Sequence, residues 1–277
     1  MFLAARPHTA SLPFGATLLG VPYDRTASFR SGARFGPAAI RWASQSIESY
    51  SPVLDRDLEE VVFTDRGDLE VEHLSPEVMV DTVAREVAAV AGLPVLLGGE
   101  HTVTVGAVRA LLARHPDLRV LVLDAHLDLR EEYEGSRWSH ACATRRLVDA
   151  TGWERVAVLG IRSGTREEFE AARALLAVER RLQVGGQVWS RLEGNPLYLS
   201  IDIDVLDPSA APGVGNPEPG GATAQDLFDL LRVLAPLRVV GMDVVEVAPP
   251  YDPSGRTAVL AALVVREALL AWTAPSP

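Results

Sequence analysis

Asp124, His126 and Asp128 stand at alternate positions in Leu121-Val-Leu-Asp-Ala-His-Leu-Asp-Leu-Arg130, where a hydrophobic run gives out. In an extended backbone, side chains at i, i+2 and i+4 share one face. The spacing therefore predicts that these three converge while Ala125 and Leu127 turn away. Two carboxylates and an imidazole gathered at a strand end desolvate one another unless a cation compensates them, which points to a divalent metal. Taken alone, the triplet reads about equally well as a strand-end loop of solvated acids. Tyr198-Leu-Ser-Ile-Asp-Ile-Asp-Val-Leu-Asp-Pro208 repeats the device, with Asp202 and Asp204 on one face and Ile201, Ile203 and Val205 on the other. Aspartate is disfavoured inside strands, so this pair also demands compensation. A third apolar run, residues 93–99, delivers Glu100 and His101. Two imidazoles and four carboxylates are too many ligands for one ion and about right for two. With no thiolate among them, they favour manganese- or magnesium-like ions over structural zinc, while the imidazoles leave zinc and iron open.

These three motifs, Gly98-Gly-Glu-His-Thr102, Asp124-Ala-His-Leu-Asp128 and Ser200-Ile-Asp-Ile-Asp-Val-Leu-Asp-Pro208, in this order and spacing, resemble the ureohydrolase family of arginases, agmatinases and formiminoglutamases. The likeness runs from Gly20-Val-Pro-Tyr-Asp24, through Gly32-Ala-Arg-Phe-Gly-Pro37 and Ile40-Arg41, to Glu246. Arg25 departs from it, since agmatinase-like sequences carry glycine there. The resemblance implies the arginase-like fold, two Mn2+ per subunit and a homo-oligomer, trimer or hexamer. Carried onto this chain, it makes His101 and Asp128 ligands of one ion and His126 and Asp204 ligands of the other. Asp124 and Asp202 become bridges, and Asp128 also holds a metal-bridging hydroxide. That hydroxide would attack a guanidinium carbon and release urea and an amine. His140 would pass the proton to the leaving amine or to solvent, and Glu246 would accept the guanidinium's paired N–H donors. Asp243 reads as a residue behind the ligands or at the surface.

The implied substrate is a small cationic guanidino compound, with agmatine, cleaved to putrescine and urea, the first choice. The loop Pro212-Gly-Val-Gly-Asn-Pro-Glu-Pro-Gly220 resembles agmatinases more than arginases, and Arg130 stands where arginases carry asparagine. Glu131, Glu132 and Glu134 could receive a distal ammonium. Aminopropyl-agmatine, in polyamine synthesis, comes close behind; Arg130 could instead attract a carboxylate and favour guanidinobutyrate, and arginine is a further alternative. Two other classes stand beside these. A single-zinc deacetylase on a related fold would need an adjacent His-His pair, which is missing. A non-catalytic metal-binding paralogue would be expected to have lost a ligand, yet all six positions are filled.

The elements that must position these residues alternate between strands and helices. Strands are expected over residues 15–22, 61–65, 95–98, 121–124, 155–162, 196–204 and 239–247. Helices are expected over 37–44, 76–91, 101–114, 140–148, 165–182, 223–234 and 257–272. Pro37 suits a helix's opening turn, and Ser75, Ser139 and Thr223 are placed as N-caps. Every candidate site residue falls at a strand exit, as in a three-layer αβα sandwich with a largely parallel sheet and its site at the carboxyl edge. Residues 207–221 hold four prolines and four glycines, which makes a rigid shaped loop over that edge.

A length of 277 residues suits one α/β domain. The formal net charge of −11 argues against nucleic acid or an anionic membrane surface as partner. All the basic charge is arginine, since the chain has no lysine. One cysteine, Cys142, excludes an internal disulfide framework and reads as a small buried residue, which fits a reducing, cytoplasmic setting. Pro7 and Pro13 interrupt the opening segment, so no secretory signal is read there. The terminal apolar stretch carries Arg266 and Glu267 and is expected to be a buried helix rather than a span. His8, His73 and His115 are expected at the surface.

Overall fold

Apolar runs that alternate with amphipathic stretches are realised here as one parallel sheet between two helical layers. The computed structural model describes residues 1–7 and 15–274, so His8 and Pro13 lie outside the described residues. β1 (Ala16–Val21) opens the sheet, and a short hairpin of β2 (Tyr50–Ser51) and β3 (Arg56–Asp57) stands apart from it. β4 (Phe63–Asp68), β5 (Leu93–Gly98), β6 (Arg119–Leu123) and β7 (Val156–Leu159) follow. β8 (Ala177–Glu179), β9 (Leu197–Asp202) and β10 (Val239–Val245) complete it. The eight strands lie in the order β4-β1-β5-β10-β9-β6-β7-β8, and each neighbouring pair is parallel.

Parallel strands buried on both faces read as continuous apolar runs, and β6 shows why. Leu121 and Leu123 pack into one core and Val120 and Val122 into the other. The first core is closed by α1 (Gly36–Ser44), α7 (Ala224–Leu234) and α8 (Arg256–Trp272), the second by α2 (Pro76–Ala88), α3 (Val103–Leu112) and α4 (Ala143–Thr151). The architecture is thus the three-layer αβα sandwich expected. Thr223 caps α7 reciprocally with Asp226, as a good N-cap residue should. Among the described residues no helix is long and apolar enough to cross a membrane.

Two elements differ from expectation. The helix expected over 165–182 stops early: α5 (Arg166–Ala171) passes into a short 3-10 turn, and the chain then forms edge strand β8 against β7. Its composition of Ala, Leu and Arg favours helix, but three residues are too few to show a strand's period of two, and pairing with β7 overrides propensity. A further helix, α6 (Gly186–Leu192), follows it. The segment after Ser139 also begins as a 3-10 turn, His140–Cys142, without a side-chain cap from Ser139. His73 is exposed as expected, whereas His115 is half-buried. Cys142 is fully buried, and burial pushes its thiol up to about 11.

Candidate metal centre and cleft

β5, β10, β9 and β6 are contiguous in the sheet although the chain visits them as β5, β6, β9, β10. Because all four run the same way, their carboxyl ends meet, and the residues that follow each strand converge there. His101 follows β5 after Gly98-Gly99. A Cβ at Gly99 would lie 1.9 Å from the Tyr23 carbonyl oxygen, so only glycine permits this close turn.

The mechanism of convergence is not the strand alternation expected. β6 ends at Leu123, and Asp128 adopts a left-handed backbone with φ 49°. β9 likewise ends at Asp202, and Asp204 sits in a 3-10 turn whose amide donates to Asp202 Oδ1 at 2.9 Å. Asp124, Asp128 and Asp204 leave the sheet into irregular backbone, where their polar groups do not cost ladder hydrogen bonds, while Asp202 is the last residue of β9, opposite Val245. His101 Nδ1 lies 3.0 Å from Asp124 Oδ2, 3.4 Å from Asp128 Oδ2 and 3.5 Å from Asp202 Oδ2. His126 Nδ1 lies 2.9 Å from Asp204 Oδ2 and 3.6 Å from Asp124 Oδ1. All six residues expected as ligands are therefore brought together, and five of them form two groups that could hold a metal ion: His101 with Asp124 and Asp128, and Asp124 with His126 and Asp204; Asp202 belongs to neither group and approaches them through His101.

The donor set fits divalent cations on an observation independent of motif. His101 Nδ1 and Asp124 Oδ2 are buried, face each other, and have no hydrogen-bond partner. Such orphans are costly unless something unseen satisfies them. Protons are the other means of compensation. Burial and then the Asp124 charge push Asp128 up to about 6. Burial, Asp204 and Asp124 raise Asp202 well above the carboxylate range. Burial works against the charged form of His126, but Asp204 and Asp124 outweigh it and raise the imidazole to about 12. A cation would take the place of these protons.

A polar support fixes His101, and of its members only Asp243 is singled out by the sequence. Tyr198, Ser200 and Thr104 hydroxyls all donate to Asp243, which is fully buried and not at the surface. Ser200 Oγ spends its one proton on Asp243 Oδ1 at 2.7 Å, so it accepts from His101 Nε2 at 3.0 Å. That leaves the lone pair on Nδ1, towards the carboxylates. Ser200 stands two residues before Asp202 on the same strand, and this spacing is the one signal of its role in the sequence.

The centre forms the floor of a cleft of about 410 Å³. Glu246 and His140 line it, as do Ser28, Phe29, Asn216 and Glu218. Glu246 has φ 63°, and its Oε1 accepts from the His101 amide at 2.9 Å; burial and then the Glu100 charge push it up to about 8. Burial, with the charges of His126 and His101, pulls His140 down to about 4, so it is neutral at neutral pH.

The acids expected to meet a substrate's far end do not line the cleft. Glu131 is exposed and held by Arg137, Arg145 and Arg146, while Glu132 and Glu134 face solvent. Arg130 does line it, with its guanidinium 4.7 Å over the Tyr133 ring and Nε 3.7 Å from Glu168 Oε2. The accessible acid is Glu218, from the Pro-Glu-Pro run. Its Oε1 accepts from Ser163 Oγ at 2.8 Å and lies 3.7 Å from His126 Nε2. Arg162 holds this loop in place by donating to the carbonyls of Gly160, Asp204, Val205, Leu206 and Glu218.

A model of the arginase family matches residues 14–271. The chain is 45% identical to an agmatinase of Bacillus anthracis over 263 residues, 92% of this chain and 91% of that one. It is 40% identical to an N(1)-aminopropylagmatine ureohydrolase of Thermococcus kodakarensis over 258 residues, 87% of this chain and 86% of that one. The solved agmatine ureohydrolase of Thermoplasma volcanium superposes with a TM-score of 0.83 at 37% identity, covering 93% of this chain and 89% of that one.

Proposed function

The chain belongs to the arginase family, and on that premise we propose that it hydrolyses agmatine to putrescine and urea, with two Mn2+ at its metal centre. The observation that carries this reading is the pair of carboxylate–imidazole groups sharing Asp124 on the floor of a cleft walled by further acids. When bound by His101, Asp124, Asp128, His126, Asp202 and Asp204, two divalent cations supply a water acidified towards neutral pH as the nucleophile.

The chain's own residues do the rest. Glu246, which burial pushes up to about 8, is drawn to its ionised form by an arriving guanidinium and pairs with its planar N–H donors at the cleft wall. Neutral His140 receives a proton at one ring nitrogen and passes it towards the leaving amine or solvent. Glu218 is the carboxylate for a distal ammonium. Arg130 is stacked on Tyr133 and paired with Glu168, so its charge is largely spent and does not recruit a substrate carboxylate. This favours an amine over a guanidino acid. An aminopropyl-extended agmatine satisfies the same acids and is the second reading, supported by the Thermococcus relative. A cytoplasmic homo-oligomer belongs to the same proposal, supported by the buried lone Cys142 and by Phe29, Phe35 and Trp42 left exposed on the surface.

Urea release after manganese loading tests the reading, with agmatine, aminopropyl-agmatine, arginine and guanidinobutyrate compared by kcat/KM. Agmatine is expected to lead. A lead for arginine or guanidinobutyrate would reject the roles given to Glu218 and Arg130.

A further inference from the structure

Two groups behind His140 take no part in the chemistry assigned so far. One is the buried carboxylate of Glu100, which holds no place among the ligands, and the other is Thr26, on the loop after β1. Glu100 is 1% exposed, and Thr26 occupies both of its carboxylate oxygens. The Thr26 amide donates to Oε2 and its hydroxyl donates to Oε1, each at 2.8 Å. The same hydroxyl oxygen meets His140 twice. It accepts the His140 backbone N–H at 2.9 Å and lies 3.3 Å from the ring Nδ1.

A hydroxyl has one proton to give. That of Thr26 is committed to the carboxylate, so towards His140 the oxygen can only accept. The Nδ1 atom must then carry the ring proton, and the lone pair falls on Nε2, which lies 3.4 Å from Ser28 Oγ on the cleft wall. Ser139 Oγ, 3.4 Å from Nδ1, has an uncommitted proton and would accept either tautomer. Thr26 is therefore the neighbour that makes the choice.

We infer that Thr26, oriented by Glu100, is a positioning residue that holds His140 as the Nδ1-protonated tautomer and presents Nε2 to the reaction. This rests on the reading of His140 as the proton carrier. The arrangement parallels on the cleft wall what Asp243 and Ser200 do for His101 on its floor: a buried carboxylate spends a hydroxyl's proton, and the hydroxyl then dictates which imidazole nitrogen is free. A histidine held in the wrong tautomer loses most of its value as a base even when its place is kept.

The test is a double-mutant cycle on the manganese-loaded enzyme with agmatine, with bound metal measured for every variant. Thr26→Val removes the hydroxyl and keeps the shape; it is expected to lower kcat by about 10²-fold with KM and metal content nearly unchanged. Thr26→Ser, which restores the hydroxyl, should recover most of the loss. His140→Asn should be comparably slow, and the double variant should be no slower than His140→Asn alone. Should the valine variant fold poorly, Thr26→Ala serves as the second deletion. Turnover near wild type in both deletions, a serine variant as slow as valine, or additive losses in the double variant would overturn the inference while leaving His140 in place. Wild-type turnover in His140→Asn would instead remove His140 from the scheme, and the inference with it.

Discussion

Asp128 and Glu246 both hold left-handed backbone, φ 49° and 63°, which costs an L residue about 1–2 kcal/mol each. Such strain persists only where neighbours impose it. The Asp128 carbonyl accepts from the Arg145 amide at 3.0 Å, and the next amide, Leu129, donates to Glu168 Oε1 at 3.0 Å. The Glu246 amide donates to the Gly99 carbonyl at 2.8 Å while its side chain receives the His101 amide. The strained turns aim the Asp128 carboxylate at His101 and the Glu246 carboxylate at the cleft. Glu246→Gln keeps the size and the contact to His101 but loses the charge offered to a guanidinium. Its KM for agmatine should rise roughly 10- to 100-fold, the weight of a charged hydrogen bond, with metal content retained. Steady-state kinetics and metal analysis check this, and unchanged KM would take Glu246 out of substrate binding.

At the scale of elements, the cleft depends on loops that the sheet alone does not hold. The 207–221 loop is stiffened by its prolines, yet its position comes from Arg162, at the exit of β7, whose guanidinium serves the carbonyls of Asp204, Val205 and Leu206 and that of Glu218. Replacing that one side chain strands several buried acceptors. Arg162→Leu should cost roughly 1.5–3 kcal/mol of stability, read by denaturant unfolding. It should also weaken metal retention at the His126 group, since Asp204 rides on the released turn. Stability and metal content equal to wild type would show that the prolines suffice. α5 has a similar double use: Glu168 closes the Thr165 capping box and also anchors Leu129 beside Asp128. A capping box is legible in sequence, but the second partner, 39 residues away in the chain, is not.

At the scale of the whole molecule, folding gathers four aspartates and two histidines in a space where they repel unless compensated, so the centre must weigh against stability until cations arrive. Ligands that bind only the folded state stabilise it, by about 2.7 kcal/mol when the free ligand is at 100 times its Kd. Chelation should therefore lower the melting temperature by several degrees and manganese should restore it. The cations require the deprotonated ligands, and Asp128 takes up its proton at about 6. His126, which its carboxylate neighbours raise to about 12, must also release its proton, so the manganese-dependent gain should keep growing as the pH rises above 6 and shrink as it falls; scanning calorimetry with and without metal would reveal a gain independent of pH, and with it the error. How much of all this is legible in the chain differs by residue. As candidate metal ligands, Asp124, His126, Asp128, Asp202, Asp204 and His101 are readable because such ligands must be of few types at short spacings, and those spacings survive in the chain. The parallel αβα architecture is readable because a strand buried on both faces must be apolar throughout. Folding alone decided that Glu218, and not Glu131, Glu132 or Glu134, faces the cleft, that Asp243 is buried behind His101, and that Thr26 reaches His140. Those contacts join residues up to 139 positions apart. Sheet order and loop path set them, and no local pattern of residue types encodes which of several acids ends up in the cleft.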